Sequence, residues 1–85
     1  MEITYYSKDN CSLCDKGLII LERIQRDFPF TVKVVNIYED DALLEKYQIM
    51  IPVVEIEGVE VDSGILSEER IRFFFENKIH NMNGC

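Results

Sequence analysis

The sequence predicts one α/β domain in the order βαβαββα, a four-stranded mixed sheet flanked by helices, and three observations carry that prediction. Apolar residues switch along the chain between a strand-like and a helix-like period, so strand and helix segments alternate. A helix joining the first two strands requires those strands to be parallel, with a right-handed crossover. A Glu57-Gly58 step between two alternating apolar runs then adds an antiparallel hairpin. The chain has 85 residues, and a domain that small buries only about 60–65% of the surface its unfolded form exposes. The domain is expected over residues 1–80, with 81–85 as a flexible C-terminal tail.

Ile3-Thr4-Tyr5-Tyr6 is β-branched and aromatic and predicts a short buried strand ending at Ser7. From Ser12 the period changes. Leu13, Gly17, Leu21, Ile24 and Phe28 recur at helical spacing beside Ile20, while Glu22, Arg23, Arg26 and Asp27 face the other way. Pro29 disfavours helix at Phe28, so the helix should stop near Asp27. Valine-rich Phe30 to Ile37 predicts the second strand. Asp40 or Asp41 should cap a short helix with Leu43, Leu44 and Tyr47 inward.

Pro52-Val53-Val54-Glu55-Ile56 and Val59-Glu60-Val61 form the two arms of the hairpin. Ser67 should cap the last helix, with Glu68 and Glu69 placed to suit its dipole. Leu66 and Ile71 have the spacing of a hydrophobic staple. Ile71, Phe74, Phe75 and Lys78 or Ile79 share the inner stripe, which leaves Phe73 exposed, against a partner.

A net charge of −7 argues against a nucleic-acid partner, which needs concentrated Lys and Arg. That charge serves solubility instead. No apolar run reaches the roughly 20 residues of a membrane span. Strand residues begin at Ile3, leaving no space for a signal peptide, so a cytoplasmic protein is expected; a monomer is expected as well. Three cysteines cannot pair evenly, and in a reducing compartment a close pair points to redox or metal chemistry.

That pair is Cys11-Ser12-Leu13-Cys14, at the junction of the first strand and first helix. With Cys11 at the N-cap, its sulfur faces the backbone N–H groups of Leu13 and Cys14, and the helix dipole favours its thiolate. Lys8 favours the thiolate too, while Asp9 and Asp15 oppose it; the short hydrogen bonds should win, holding the thiol pKa below its ordinary value. Cys14 shares the helical face, with Cβ atoms about 5–6 Å apart, so a small adjustment closes a disulfide. Cys11 is the expected nucleophile and Cys14 the resolving thiol. Zinc bound by Cys11, Cys14, His80 and Cys85 is formally open, but the gap before His80 far exceeds ordinary zinc-module spacings. Ile51-Pro52-Val53 is the second signal, a proline allowed at a strand start.

Tyr5 to Cys14, with lysine three residues ahead of the first cysteine, resembles the first strand and active site of the glutaredoxins. Leu44-Glu45-Lys46-Tyr47 and Ile51-Pro52-Val53-Val54-Glu55-Ile56-Glu57-Gly58 resemble that family's second helix, cis-proline loop and hairpin. The likeness runs from about Ile3 to Ile79, and Cys-Ser-Leu-Cys-Asp is similar to a little-characterised glutaredoxin-like branch.

The resemblance implies a thioredoxin-like fold and a thiol–disulfide oxidoreductase acting through Cys11 and Cys14, with no metal and no resident cofactor. It implies a cis Ile51–Pro52 bond beside Cys11, leaving the carbonyl and N–H of Ile51 free for a substrate backbone. Lys8 would assist electrostatically. Partners would be protein or small-molecule disulfides, with glutathione or a thioredoxin reductase-type system as reductant. Ser63 and Gly64 would offer backbone donors to a glutathione carboxylate at the start of the last helix.

This chain departs from the family where glutathione binds. Ser12 and Leu13 replace the usual proline and tyrosine, and Val61-Asp62-Ser63-Gly64-Ile65-Leu66 replaces a Gly-Gly step. Asp62 would repel a carboxylate. Two other readings stay open: a non-catalytic peptide-binding module docking beside Pro52, and a metal or iron–sulfur carrier using Cys11. Tyr5, Tyr6, Phe28, Phe30 and the Phe73-Phe74-Phe75 run are expected to be structural. His80 is expected as a helix C-terminal cation and Cys85 as a tail thiol.

Overall fold

The structure, a computed structural model, describes the backbone of residues 1–84 and the side chains of residues 1–77. Strand β1 (Glu2–Ser7) leads to helix α1 (Ser12–Gln25), strand β2 (Thr31–Asn36), a 3-10 turn (Ile37–Glu39) and helix α2 (Asp41–Tyr47). Strands β3 (Val53–Ile56) and β4 (Val59–Ser63) and helix α3 (Glu68–Gly84) follow. The sheet order is β2-β1-β3-β4. β1 and β2 run parallel, and the β1–β3 and β3–β4 pairs are antiparallel. The βαβαββα order and mixed sheet are therefore as the sequence predicts.

Each face of the sheet has its own core, because successive strand residues point to opposite sides. Ile3, Tyr5, Val54 and Ile56 meet Leu21 and Ile24 of α1 and Ile71 and Phe75 of α3 on one face. Tyr47, Ile37, Ile51, Val53 and Cys14 gather on the other, with Tyr6, Leu43 and Leu44 packed against them. Phe75 stacks on Phe30 at 4.9 Å and on Phe28 at 5.4 Å between ring centroids, tying α3 to the α1–β2 connection.

Local signals set most boundaries. Glu57 and Gly58 both have positive φ, 51° and 82°, the pair a type I′ hairpin turn requires. The Asp40 carboxylate accepts from the Ala42 N–H at 2.8 Å and caps α2. Ser67 Oγ accepts from the Arg70 N–H at 3.2 Å, the expected cap of α3.

Other expectations shift. α1 ends at Gln25, two residues short of Asp27, and the Asp27 and Phe28 N–H groups bond back to the Ile24 carbonyl. Its buried stripe is Cys14, Gly17, Leu21 and Ile24, not one beginning at Leu13. β2 is shorter than Phe30 to Ile37: Phe30 turns into the core, and Asn36 caps a 3-10 turn begun by Ile37. The expectations for Lys78, Ile79, His80, Cys85 and the 81–85 tail fall on side chains outside the described residues.

An ion-pair clamp joins α1 to α3. Arg23 reaches Glu68 at 3.2 Å, and Arg72 meets Glu68 at 2.9 Å and Asp27 at 2.6 Å. The Arg72 hydrogen bond is the main cause holding the Glu68 carboxyl below its usual range. A depressed carboxyl stabilises the fold above its unfolded pKa, and that contribution is lost as pH falls through the folded value. Glu68→Gln should therefore be less stable than wild type at pH 7, with the gap closing below about pH 4. Urea denaturation at pH 7 and at pH 3 checks both parts.

Candidate redox site

The chain leaves β1 at Ser7 and turns through Asn10, whose positive φ of 55° suits asparagine. Cys11 is thereby delivered to the N-cap of α1, in extended conformation. Its Sγ accepts the Cys14 backbone N–H at 3.1 Å, and its carbonyl accepts the first helical bond from Asp15. Leu13 does not join, so the sulfur has one backbone donor rather than the expected two. Cys11 and Cys14 form a disulfide, with their Cα atoms 5.1 Å apart. Cys11 is half-buried, whereas Cys14 is 3% exposed and belongs to the core beside Tyr47 and Ile51. The outer sulfur is the one a second molecule reaches first.

Tyr5 supports this corner from below. Its hydroxyl donates to the Cys14 carbonyl at 2.7 Å. Burial, reinforced by Asp15, pushes the phenol far above its usual range, so it remains a donor. Gly17 lies directly over that hydroxyl. A Cβ there would overlap Tyr5 Oη and come within 2.9 Å of Leu66 Cδ1. Gly17→Ala should cost about 1–3 kcal/mol through overpacking, only partly offset by about 1 kcal/mol of helix propensity. Combining it with Tyr5→Phe should recover part of the loss, a coupling that a double-mutant cycle of urea denaturation measures.

The Ile51–Pro52 bond is cis, and Ile51 packs in the same core as Cys14. One expectation for Ile51 is overturned. Its N–H is donated to the Tyr47 carbonyl at 3.1 Å, because the chain turns back tightly after α2. Of the two Ile51 backbone groups only the carbonyl lacks a protein partner among the described residues, so one group is open here, not the two expected.

Ser63 and Gly64 lie beside the cis-proline, but their N–H groups are not free. Gly64 donates to the Pro52 carbonyl at 2.8 Å and to the Met50 carbonyl at 3.0 Å. Ser63 donates to the Asp62 carboxylate at 3.0 Å. The carboxylate site expected of these two residues is therefore closed from within. Lys8 is half-buried in the turn before Cys11 and forms no ion pair with the described residues.

A feature the sequence reading missed is the apolar rim of this end. β1, β2 and β4 finish here and β3 begins here. Leu13, Tyr38, Ile49 and Ile65 follow or precede those strand ends, and all are exposed, Ile49 by 90%. The signal was present, since each is a large apolar residue in a predicted loop or first helical turn. Among the described residues no helix is long and apolar enough to cross a membrane. Nor is any group of three or more His, Cys, Asp or Glu side chains placed to hold a metal ion.

A thioredoxin-type sheet with a Cys-x-x-C disulfide at a helix start and a cis-proline beside the same core places the chain among thioredoxin-fold proteins. Residues 2–76 match the glutaredoxin-like domain (DUF836), and the chain belongs to that family. Protein XcR50 from X. campestris, a structural genomics target, is 29% identical over 88% of this chain and 96% of its own, with a TM-score of 0.73. Protein Ne2328 from Nitrosomonas europaea is 24% identical over 86% of this chain and 88% of its own, with a TM-score of 0.78. Thioredoxin 1 from Thermosipho africanus is 22% identical over 98% of this chain and 99% of its own, with a TM-score of 0.72, a likeness of fold. No curated protein matches the chain.

Proposed function

We propose that this protein is a thiol–disulfide oxidoreductase in which Cys11 is the nucleophile and Cys14 the resolving thiol. The observation that carries the reading is the asymmetry of the pair: Cys11 half-buried at the helix N-cap with a backbone N–H on its sulfur, Cys14 inside the core. In the reduced protein that N–H and the helix dipole stabilise a Cys11 thiolate. The thiolate attacks one sulfur of a substrate disulfide, forms a mixed disulfide and expels the other sulfur as a thiolate, which takes a proton from solvent. Cys14 then loses its proton and attacks Cys11 Sγ. The Cys11–Cys14 bond forms, the substrate's second thiol leaves, and two electrons have passed from the pair to the substrate.

The apolar rim supports a protein disulfide as the substrate. An extended segment lying beside Pro52 would donate to the Ile51 carbonyl and cover Ile49 and Ile65, which an isolated small thiol leaves in water. Lys8 assists electrostatically at the approach to Cys11.

A redox titration in glutathione buffers tests the reading, with thiols trapped by alkylation and counted by intact mass. Cys85→Ser leaves only the pair to report. The expected result is a reversible two-electron transition between about −280 and −180 mV. Absence of a reversible Cys11–Cys14 disulfide at any poise overturns it.

A further inference from the structure

Asp62 is an acidic side chain only 3% exposed, yet it lies on a strand whose alternation ought to turn it elsewhere. Glu60 and Asp62 are two residues apart and in a regular strand would share a face. They do not. The β3–β4 ladder pairs Glu55 with Glu60 but Val54 with Asp62, so one extra residue, Val61, is accommodated on β4. The bulge reverses the facing. Glu60 accepts from the Tyr47 hydroxyl at 3.0 Å on the α2 face, whereas Asp62 turns under the start of α3.

There it collects three donors. One carboxylate oxygen accepts the Ser67 N–H at 2.7 Å, and the other accepts the Ser63 N–H at 3.0 Å and the Arg70 guanidinium at 3.1 Å. A backbone amide at a helix start, a second at the end of β4 and an arginine are donors a bound carboxylate would use. This cradle adjoins the redox site, since Ser63 pairs with Val53 and Gly64 bonds to the Pro52 carbonyl.

We propose that Asp62 is the specificity-determining residue of the Cys11–Cys14 site: its carboxylate fills the anion cradle at the start of α3 and shuts out thiols that anchor a carboxylate there. The inference rests on the oxidoreductase reading and deepens it. Glutathione reaches the disulfide as an unanchored thiol, and the pair is left to partners that need no anion anchor.

The test compares reduction of the Cys11–Cys14 disulfide by glutathione and by neutral 2-mercaptoethanol, in wild type, Asp62→Ala and Asp62→Asn. Asp62→Ala empties the cradle and should raise the glutathione-to-mercaptoethanol rate ratio by about tenfold or more. Asp62→Asn removes the charge but still fills the space, and should raise it by no more than about threefold. Equal increases in the two variants would mean simple repulsion and overturn the occupancy proposal, as would no increase in either.

Should Asp62→Ala fail to fold, the wild-type chain still decides. With S-methylglutathione added, the Ser63 and Ser67 amide resonances should not move, and a saturable shift overturns the proposal. The neutral thiol separates the two failures. A pair that is reduced by 2-mercaptoethanol but cannot be reoxidised by a disulfide overturns the oxidoreductase reading, and this inference with it. Reversible exchange with an unchanged rate ratio overturns the role of Asp62 alone.

Discussion

Replacing Phe75 with alanine is expected to cost about 3–5 kcal/mol, a large fraction of the roughly 5–15 kcal/mol that holds a domain folded. Phe75 is 1% exposed and is the point where three aromatic contacts converge, on Phe28, Phe30 and Phe74. Truncation removes the largest fully buried side chain of α3 among the described residues and leaves a void between α3 and the α1–β2 connection, which the rigid sheet cannot close. The effect should reach the redox end, because Ser67 caps α3 and Arg70 lies on it, and both are partners of Asp62. Phe73→Ala is the control. That side chain is 65% exposed, and its removal should change stability by less than about 0.5 kcal/mol. Urea denaturation of the two variants checks the contrast, and similar losses in both would show that the Phe75 stack is not the anchor of α3.

What the sequence made legible was what short stretches decide alone. The Cys11–Cys14 spacing, the Asp40 and Ser67 caps and the Glu57-Gly58 turn each need only a few neighbouring residues. The apolar stripe of α3 was readable for the same reason: Ile71 and Phe75 are one turn apart, and Phe73 cannot face with them. The features that escaped depend on pairing between distant segments. Alternation through Val59-Glu60-Val61-Asp62 places both acids on one face, and only the β3–β4 register reveals the bulge that separates them. The Ile51 N–H looked free because the turn returning it to Tyr47 has no signature of its own. Ser63 and Gly64 do not offer the donors expected of them, since those N–H groups are taken by Asp62 and by carbonyls around the cis-proline. Position was local information; hydrogen-bond availability was not.

The two cysteines should fail in different ways when replaced by serine, and that difference separates their roles. In Cys11→Ser the outer sulfur is gone, and a serine hydroxyl has no appreciable anion at neutral pH, so exchange should fall by more than about 1,000-fold. In Cys14→Ser the first step survives, because the nucleophile and the backbone N–H on its sulfur are retained. The second step has no thiol to perform it. A stoichiometric mixed disulfide on Cys11 should therefore accumulate with a model disulfide, visible as a mass increase that dithiothreitol removes. The buried position of Cys14 strengthens the prediction, because an incoming disulfide meets Cys11 before it can meet Cys14. An adduct that instead forms in Cys11→Ser and not in Cys14→Ser would exchange the two roles. Full turnover in both variants would remove the pair from the chemistry altogether, whatever the fold surrounding it.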